Sequence, residues 1–365
     1  MSFQCGIVGL PNVGKSTLFN ALTESGIPAE NYPFCTIEPH IGIVELPDAR
    51  LKDLARIYNP EKVTPATVEF IDIAGLVKGA SKGEGLGNQF LSHIREVEAI
   101  IHVVRCFENS DITHINNKID PLHDIEIIQT ELILADIASV EKQILNLKKR
   151  IRGNDPDLKK LYVLLEKFLH HLSSGEKASS LKNLNQEEKL TIKNINLLTL
   201  KPQLYVCNVS EEDILKGNEL TNKLEQHFHN QGSKIILISS LIESEISILN
   251  SDDKTVFLKD LGLEETGLSK LIKSGYDLLN LITFFTSGPK ESKAWTLENG
   301  LTAPNAAGKI HTDFEKGFIR AETISYKDFF HFNGEQGAKD AGKLRVEGSD
   351  YIVKDGDVFN FRFNV

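Results

Sequence analysis

The sequence has no C-x-x-C pair: its four cysteines, Cys5, Cys35, Cys106 and Cys207, lie scattered along the chain. That argues against a zinc site or a disulfide scaffold and fits a reducing compartment. No charged leader or cleavage site precedes the first apolar run, residues 3–8. No apolar run approaches the roughly 18 residues required to span a bilayer. The expectation is a cytoplasmic protein with no membrane segment. An excess of positive charge is lacking too, since 41 Lys and Arg stand against 51 Asp and Glu, a net of −10. This argues against indiscriminate nucleic-acid binding, which depends on clustered cations that release counterions. Residues 141–182 are a local exception, with ten Lys and Arg against five Asp and Glu. A polyanionic partner would meet that stretch first.

What is present is the composition of a globular protein, 41% hydrophobic and 25% charged. At 365 residues, two or three domains are expected. Apolar runs at 3–8, 68–73, 100–105, 204–206 and 235–239 are rich in Val and Ile and barely alternate. Long helical stretches separate them. Such runs read as buried parallel strands of an α/β sheet, whose ligands sit beyond the carboxyl ends of the strands. The chemical motifs follow these strands.

Between the third and fourth strands, Ile133, Ile137, Val140, Ile144, Leu147 and Ile151 are spaced alternately four and three. This is a coiled-coil seam. Gly153-Asn154-Asp155-Pro156 breaks it, and Leu158, Leu161, Leu165, Phe168 and Leu172 resume it. The pattern predicts an antiparallel helical hairpin inserted at about 125–200; the alternative is two ordinary surface helices. Its tip holds Lys148, Lys149, Arg150, Arg152, Lys159 and Lys160, six cations within thirteen residues. From about residue 281 glycine and proline become frequent, and residues 359–365 alternate with period two. This predicts a small β-rich domain at 281–365 beside a nucleotide domain at 1–280.

Gly9-Leu10-Pro11-Asn12-Val13-Gly14-Lys15-Ser16 fits G-x-x-x-x-G-K-[ST] and joins an apolar strand to a helix. In this pattern backbone N–H groups, here of residues such as Val13 and Gly14, turn inward around phosphates. Lys15 is expected to bridge the β- and γ-phosphates and the Ser16 hydroxyl to ligate Mg²⁺. The helix that begins near Thr17 aims its positive end at the same charge. Asp72-Ile73-Ala74-Gly75 closes the second strand in the D-x-x-G form. Asp72 is expected to hold the magnesium, and the Gly75 N–H to face the γ-phosphate. Thr36 lies in the interval of a switch threonine that completes the metal shell. Five glycines within residues 75–87 read as a switch loop, the alternative being a linker.

Together with Asn31-Tyr32-Pro33-Phe34 and Gly83-Glu84-Gly85-Leu86-Gly87-Asn88, these motifs resemble the YchF (Obg-like ATPase) family of translation-factor-related P-loop GTPases. The resemblance covers essentially the whole chain. It implies an OBG-type nucleotide domain, a helical insert, a C-terminal β-grasp-like TGS domain and association with the ribosome.

Two departures from ordinary GTPases bear on mechanism. Leu76 stands where a Ras-type enzyme has its water-orienting Gln, and an alkyl chain cannot polarise water. His114, beyond the third strand, is a candidate substitute, with a solvated loop histidine as the alternative; His102 reads as a core residue. The base-reading position holds Asn208-Val209-Ser210-Glu211 in place of Asn-Lys-x-Asp. Glu211 is one methylene longer than the guanine-reading Asp, and Val209 has no cation. Asn208 and neighbouring backbone groups are therefore expected to read adenine N6, with ATP preferred over GTP. Asn12 leaves open a bridging K⁺, the alternative being that it only shapes the turn. The expected protein is a Mg²⁺-dependent ATPase, a monomer, that meets ribosomal RNA through the hairpin or the C-terminal domain. Its rivals are a GTPase of ribosome maturation and a nucleotide-gated adaptor with incidental turnover.

Overall fold

A computed structural model of the chain describes residues 3–24, 41–73, 86–109, 119–150, 155–192, 195–229 and 233–364. Its elements run β1 (Gln4–Val8), α1 (Lys15–Glu24), β2 (Ile41–Glu45), α2 (Ala49–Tyr58), β3 (Lys62–Thr64), β4 (Thr67–Asp72), α3 (Leu86–Glu96) and β5 (Ala99–Arg105). Next come α4 (Pro121–Arg150), α5 (Pro156–Ser173), α6 (Gln186–Ile192), β6 (Gln203–Asn208), α7 (Glu219–Phe228), β7 (Lys234–Ile238), α8 (Ser240–Ser247), α9 (Ser251–Asp260) and α10 (Gly267–Leu278). The remainder is β8 (Leu281–Ser287), β9 (Glu291–Glu298), α11 (Ala303–Ile310), α12 (Thr312–Lys316), β10 (Phe318–Ser325), α13 (Tyr326–His331), α14 (Glu335–Asp340), β11 (Arg345–Glu347) and β12 (Asp357–Phe363). The chain divides into two compact units, Phe3–Gly42 with Glu69–Leu268, and Ile43–Val68 with Ser269–Val365. Among the described residues no helix is long and apolar enough to cross a membrane.

In the first unit the strands lie in the order β4-β1-β5-β6-β7. Every pairing among them is parallel. All seven residues of β5 are buried, which is why its sequence does not alternate: both faces of a parallel sheet are covered. His102 sits within it with its ring 5.7 Å from that of Tyr205, a core histidine as the sequence suggested. Burial, with a smaller effect from Lys177, pushes its pKa down to about 3. The strands converge with their carboxyl ends on the segments that follow Val8, Asp72, Arg105, Asn208 and Ile238, and the candidate site lies there.

Helix α4 has 30 residues and so extends roughly 45 Å. Ile133, Val140, Ile144 and Leu147 on α4 and Leu164, Leu165, Phe168 and Leu172 on α5 share one apolar cluster. The expected seam is not closed by these two helices alone. Ala178, Ile192, Ile195 and Leu197 complete the cluster, and buried Asp136 of α4 ties their segment down. Its carboxylate accepts from the Leu198 and Thr199 N–H groups at 2.7 and 2.8 Å and from the Thr199 hydroxyl at 2.7 Å. The basic tip is also less one-sided than the sequence suggested. Glu187 of α6 accepts from Lys160 at 2.7 Å, and Glu188 from Lys167 at 2.6 Å. Lys148, Lys149 and Arg150 remain exposed at the end of α4. Ile151, Arg152 and the Gly153-Asn154 break lie outside the described residues.

The second unit carries a six-stranded mixed sheet in the order β11-β10-β12-β8-β9-β3. Ala303, Ala306 and Ala307 of α11 pack with Phe284, Leu297, Phe359 and Phe361 in its core. The period-two pattern at the carboxyl end is β12, antiparallel to β10. The unit also takes in residues 43–68, which the expected boundary near 281 leaves out. Strand β3 pairs parallel with β9. Arg50 of α2 bonds Asp48 at 2.7 Å and Asp355 at 2.6 Å, and its guanidinium lies 5.2 Å from the Phe285 ring centroid.

Candidate functional site

Strand β1 delivers the chain into a tight loop that turns at Asn12, with φ 64°, and Gly14, with φ 92°. Both angles lie in the left-handed region, which glycine and asparagine adopt most readily. The φ of Asn12 fits a part in shaping the turn. A Cβ at Gly14 would stand 2.1 Å from Asn208 Nδ2, and one at Gly9 2.7 Å from the Val103 carbonyl oxygen. Close approach sets both glycines, and rotation sets Gly14 as well. The Leu18 N–H donates to the Gly14 carbonyl at 3.0 Å and opens α1. The N–H groups of Lys15, Ser16 and Thr17 therefore stand in the first turn, without intrahelical acceptors, which makes that turn a ready seat for an anion. Ser16 and Thr17 are exposed, while Leu18, Phe19, Ala21 and Leu22 bury the opposite face of the helix.

Lys15 forms an ion pair with Asp72, the last residue of β4, which sits opposite Ile7 in the parallel register. Their side chains are only 11% and 13% exposed. The structure therefore brings together three of the sequence-predicted phosphate and metal residues, Lys15, Ser16 and Asp72. Thr36, Gly75, Leu76 and His114 lie outside the described residues.

Asn208, the expected base reader, also has a structural part. Its side chain is buried and engaged at both ends: Nδ2 donates to the Val13 carbonyl at 2.9 Å, and Oδ1 accepts from the Ser240 N–H at 2.9 Å. An amide held in this way clamps the phosphate loop to the turn after β7, and its second N–H and second oxygen lone pair remain for a base in the cavity it lines. Val209 turns its side chain into the core cluster with Ile214 and Leu224. Its N–H donates to the Ile238 carbonyl at 2.9 Å. Glu211 is exposed at the mouth.

Beside the loop opens a cavity of about 560 Å³, whose lining includes Asn12, Gly14 and Thr17 of the phosphate loop and first turn, Asn208, Val209 and Glu211 after β6, and Ser240. The Ser240 hydroxyl is buried there with no hydrogen-bond partner among the described residues, a polar group that a ligand could satisfy. Phe107, Glu108 and Asn109 form a further wall that the sequence reading missed. The neighbouring loop is braced to that wall. Asn218 Nδ2 donates to the Cys106 carbonyl at 2.7 Å and to Asp213 at 2.8 Å, while the Ser210 hydroxyl donates to the same Asp213 oxygen. The available signal was an arginine closing an otherwise apolar strand, Arg105, with an aromatic residue two positions on.

An anion seat, a lysine held ready by a carboxylate and an adjoining cavity of this size suit a nucleoside triphosphate. Ser16 and Asp72 supply hard oxygen donors of the kind Mg²⁺ prefers.

Comparison with known proteins agrees with this geometry. Residues 4–137 match the MMR_HSR1 family, described as a 50S ribosome-binding GTPase. Residues 281–364 match YchF-GTPase_C, described as a protein of unknown function (DUF933). The chain is 57% identical to the ribosome-binding ATPase YchF of Haemophilus influenzae over 100% of both chains. To that of Bacillus subtilis it is 52% identical, again over 100% of both. Among solved structures it is similar to the Schizosaccharomyces pombe YchF GTPase, with TM-score 0.90 and 38% identity over 99% of this chain and 98% of that one. A GTP-binding protein of Pyrococcus horikoshii shares the fold at TM-score 0.62 and 20% identity, covering 99% and 100% of the two chains.

Proposed function

The chain belongs to the YchF family, and on that premise we propose that it is a Mg²⁺-dependent ATPase that binds the ribosome and acts as a nucleotide switch in translation or its regulation. The observation that carries this reading is the Lys15–Asp72 pair at the mouth of a phosphate loop that opens into the cavity beside Asn208. Triphosphate draws Lys15 away from Asp72 and onto the β- and γ-phosphates, and the Asp72 carboxylate and Ser16 hydroxyl would then hold Mg²⁺. Thr36 completes that donor set, and the Gly75 N–H faces the γ-phosphate. When bound, the ion neutralises phosphate charge. His114 positions the attacking water in place of the side chain that Leu76 lacks.

ATP is preferred over GTP. A guanine-specific site aligns a carboxylate with guanine N1–H and N2–H₂ and lays a lysine stem over the ring. Here Val209 is in the core and the longer Glu211 is exposed. Phe107 gives the base an aromatic wall, the Ser240 hydroxyl and backbone groups give it polar contacts, and Asn208 keeps the loop in shape.

The ribosome is met through the helical hairpin, whose exposed Lys148, Lys149 and Arg150 face rRNA phosphate, or through the C-terminal domain as a TGS module. The protein works in the cytoplasm as a monomer. Co-sedimentation with ribosomes, with and without ATP, tests the reading. Changing Lys148, Lys149 and Arg150 to Glu should weaken binding and flatten its salt dependence, since each phosphate contact adds to that slope. Unaltered co-sedimentation of the triple variant at every salt concentration would move the contact to the C-terminal domain. Absence of wild-type co-sedimentation in either nucleotide state would remove the ribosome from the account.

A further inference from the structure

Arg105 closes β5 and is 1% exposed, the largest of the fully buried side chains. An arginine in that position has to be explained, because burying an unpaired guanidinium costs several kcal/mol. Its fork is turned onto the backbone just ahead of it. Nε donates to the Phe107 carbonyl at 3.1 Å, and Nη2 donates to the Asn109 carbonyl at 3.1 Å. The guanidinium plane also lies under the Phe107 ring, 4.7 Å from its centroid. Burial lowers the Arg105 pKa, and Asp124, buried in the first turn of α4, opposes that shift in part. One planar group thus grips the carbonyls of Phe107 and Asn109 and one face of the Phe107 ring. Planar, delocalised and always charged, arginine is suited to such a grip, whereas lysine offers a single point of donation.

The segment so held, Phe107 to Asn109, is a wall of the cavity beside the phosphate loop. It has no helix or strand of its own to fix it. Its preceding carbonyl, on Cys106, is taken by Asn218, which braces the opposite loop. We propose that Arg105 is a positioning residue for the nucleotide base: it fixes the Phe107–Asn109 wall in its binding geometry before nucleotide arrives. The inference rests on the ATP-binding reading above and adds to it the residue that keeps the base end of the pocket preformed. Preorganisation of this kind raises affinity by removing the ordering cost from the binding step.

The test separates the base end of the pocket from its phosphate end. Calorimetry on the full-length protein measures ATP and inorganic tripolyphosphate, a probe that engages the phosphate loop but has no base. The variants are Arg105→Lys, which keeps a charge opposite Asp124 but loses the fork, and Arg105→Gln. The expected result is a loss of ATP affinity of about tenfold or more in both, equal to roughly 1.4 kcal/mol. Tripolyphosphate affinity should stay within about twofold, and the ATP dissociation constant should suffer less in Lys than in Gln. ATP binding within about threefold of wild type in both variants would overturn the proposal. So would a parallel loss of ATP and tripolyphosphate, which would mean a general disturbance of the loop. Failure of both variants to fold would assign Arg105 to core stability and equally overturn it. The wild-type measurement is read separately: if ATP binds no tighter than tripolyphosphate, the cavity is not a base pocket and the ATP-binding reading itself falls.

Discussion

Asn208→Ala should destabilise the protein in the absence of any nucleotide. The amide connects two buried backbone groups 2.9 Å from its ends, the Val13 carbonyl and the Ser240 N–H. Alanine leaves both without that partner, and an unsatisfied buried group costs about 1–3 kcal/mol. The adjoining cavity can admit water to one of the two, so the expected total is about 2–4 kcal/mol. For a unit of this size each kcal/mol moves Tm by about 2–4 °C, so the transition should fall by roughly 5–15 °C. Asn208→Asp should be worse than alanine. It keeps an acceptor for Ser240 but sets a carboxylate oxygen against the Val13 carbonyl where the amide donated. Thermal unfolding of the nucleotide-free variants, followed by circular dichroism, measures both effects. An Asn208 whose two bonds contribute nothing to stability would leave this transition within about 1 °C of wild type. That result, or an aspartate variant more stable than the alanine one, would refute the clamp.

His102 should make the protein acid-sensitive. Its pKa is about 3 when folded against 6.5 when free, so the unfolded chain binds the extra proton between those values. The stability it confers is complete above about pH 6.5 and is lost as pH falls toward 3, at up to about 1.4 kcal/mol per pH unit. His102→Phe should flatten urea-derived stability over that window by one proton's slope; an identical slope would contradict the buried neutral imidazole. His114→Ala should lower kcat by about 10²-fold or more with little change in ATP affinity, as befits a group acting only in the transition state. A loss under about threefold in single-turnover kinetics would leave the missing function of Leu76 to another residue.

Much of the nucleotide unit was legible because its signals are local. The apolar runs fall within a residue or two of β1, β4, β5 and β7, and the G-x-x-x-x-G-K-[ST] pattern lies between the strand and helix that give it meaning. The end of β6 was underestimated, because Cys207 and Asn208 do not read as strand although both pair with β7. The structural part of Asn208 is hidden for a related reason. The partners that define its role lie 195 and 32 residues away, and one is a backbone carbonyl. Residues 43–68 escaped assignment to the second unit because β3 finds its partner, β9, more than two hundred residues later. The segment that completes the α4–α5 core is made of short 3₁₀ turns and the seven-residue α6, too short to show a helical period. Arg105 was passed over because an arginine at a strand end ordinarily reads as solvated. Only the two carbonyls it holds show otherwise.

The central claim is that a phosphate loop of the GTPase type is joined here to a pocket that favours adenine. Titration of the full-length protein with ATP and with GTP, each with Mg²⁺, by calorimetry tests it most directly. The account predicts tighter binding of ATP, with Lys15→Ala abolishing tight binding of both nucleotides. Preference for GTP by tenfold or more, about 1.4 kcal/mol, would contradict it.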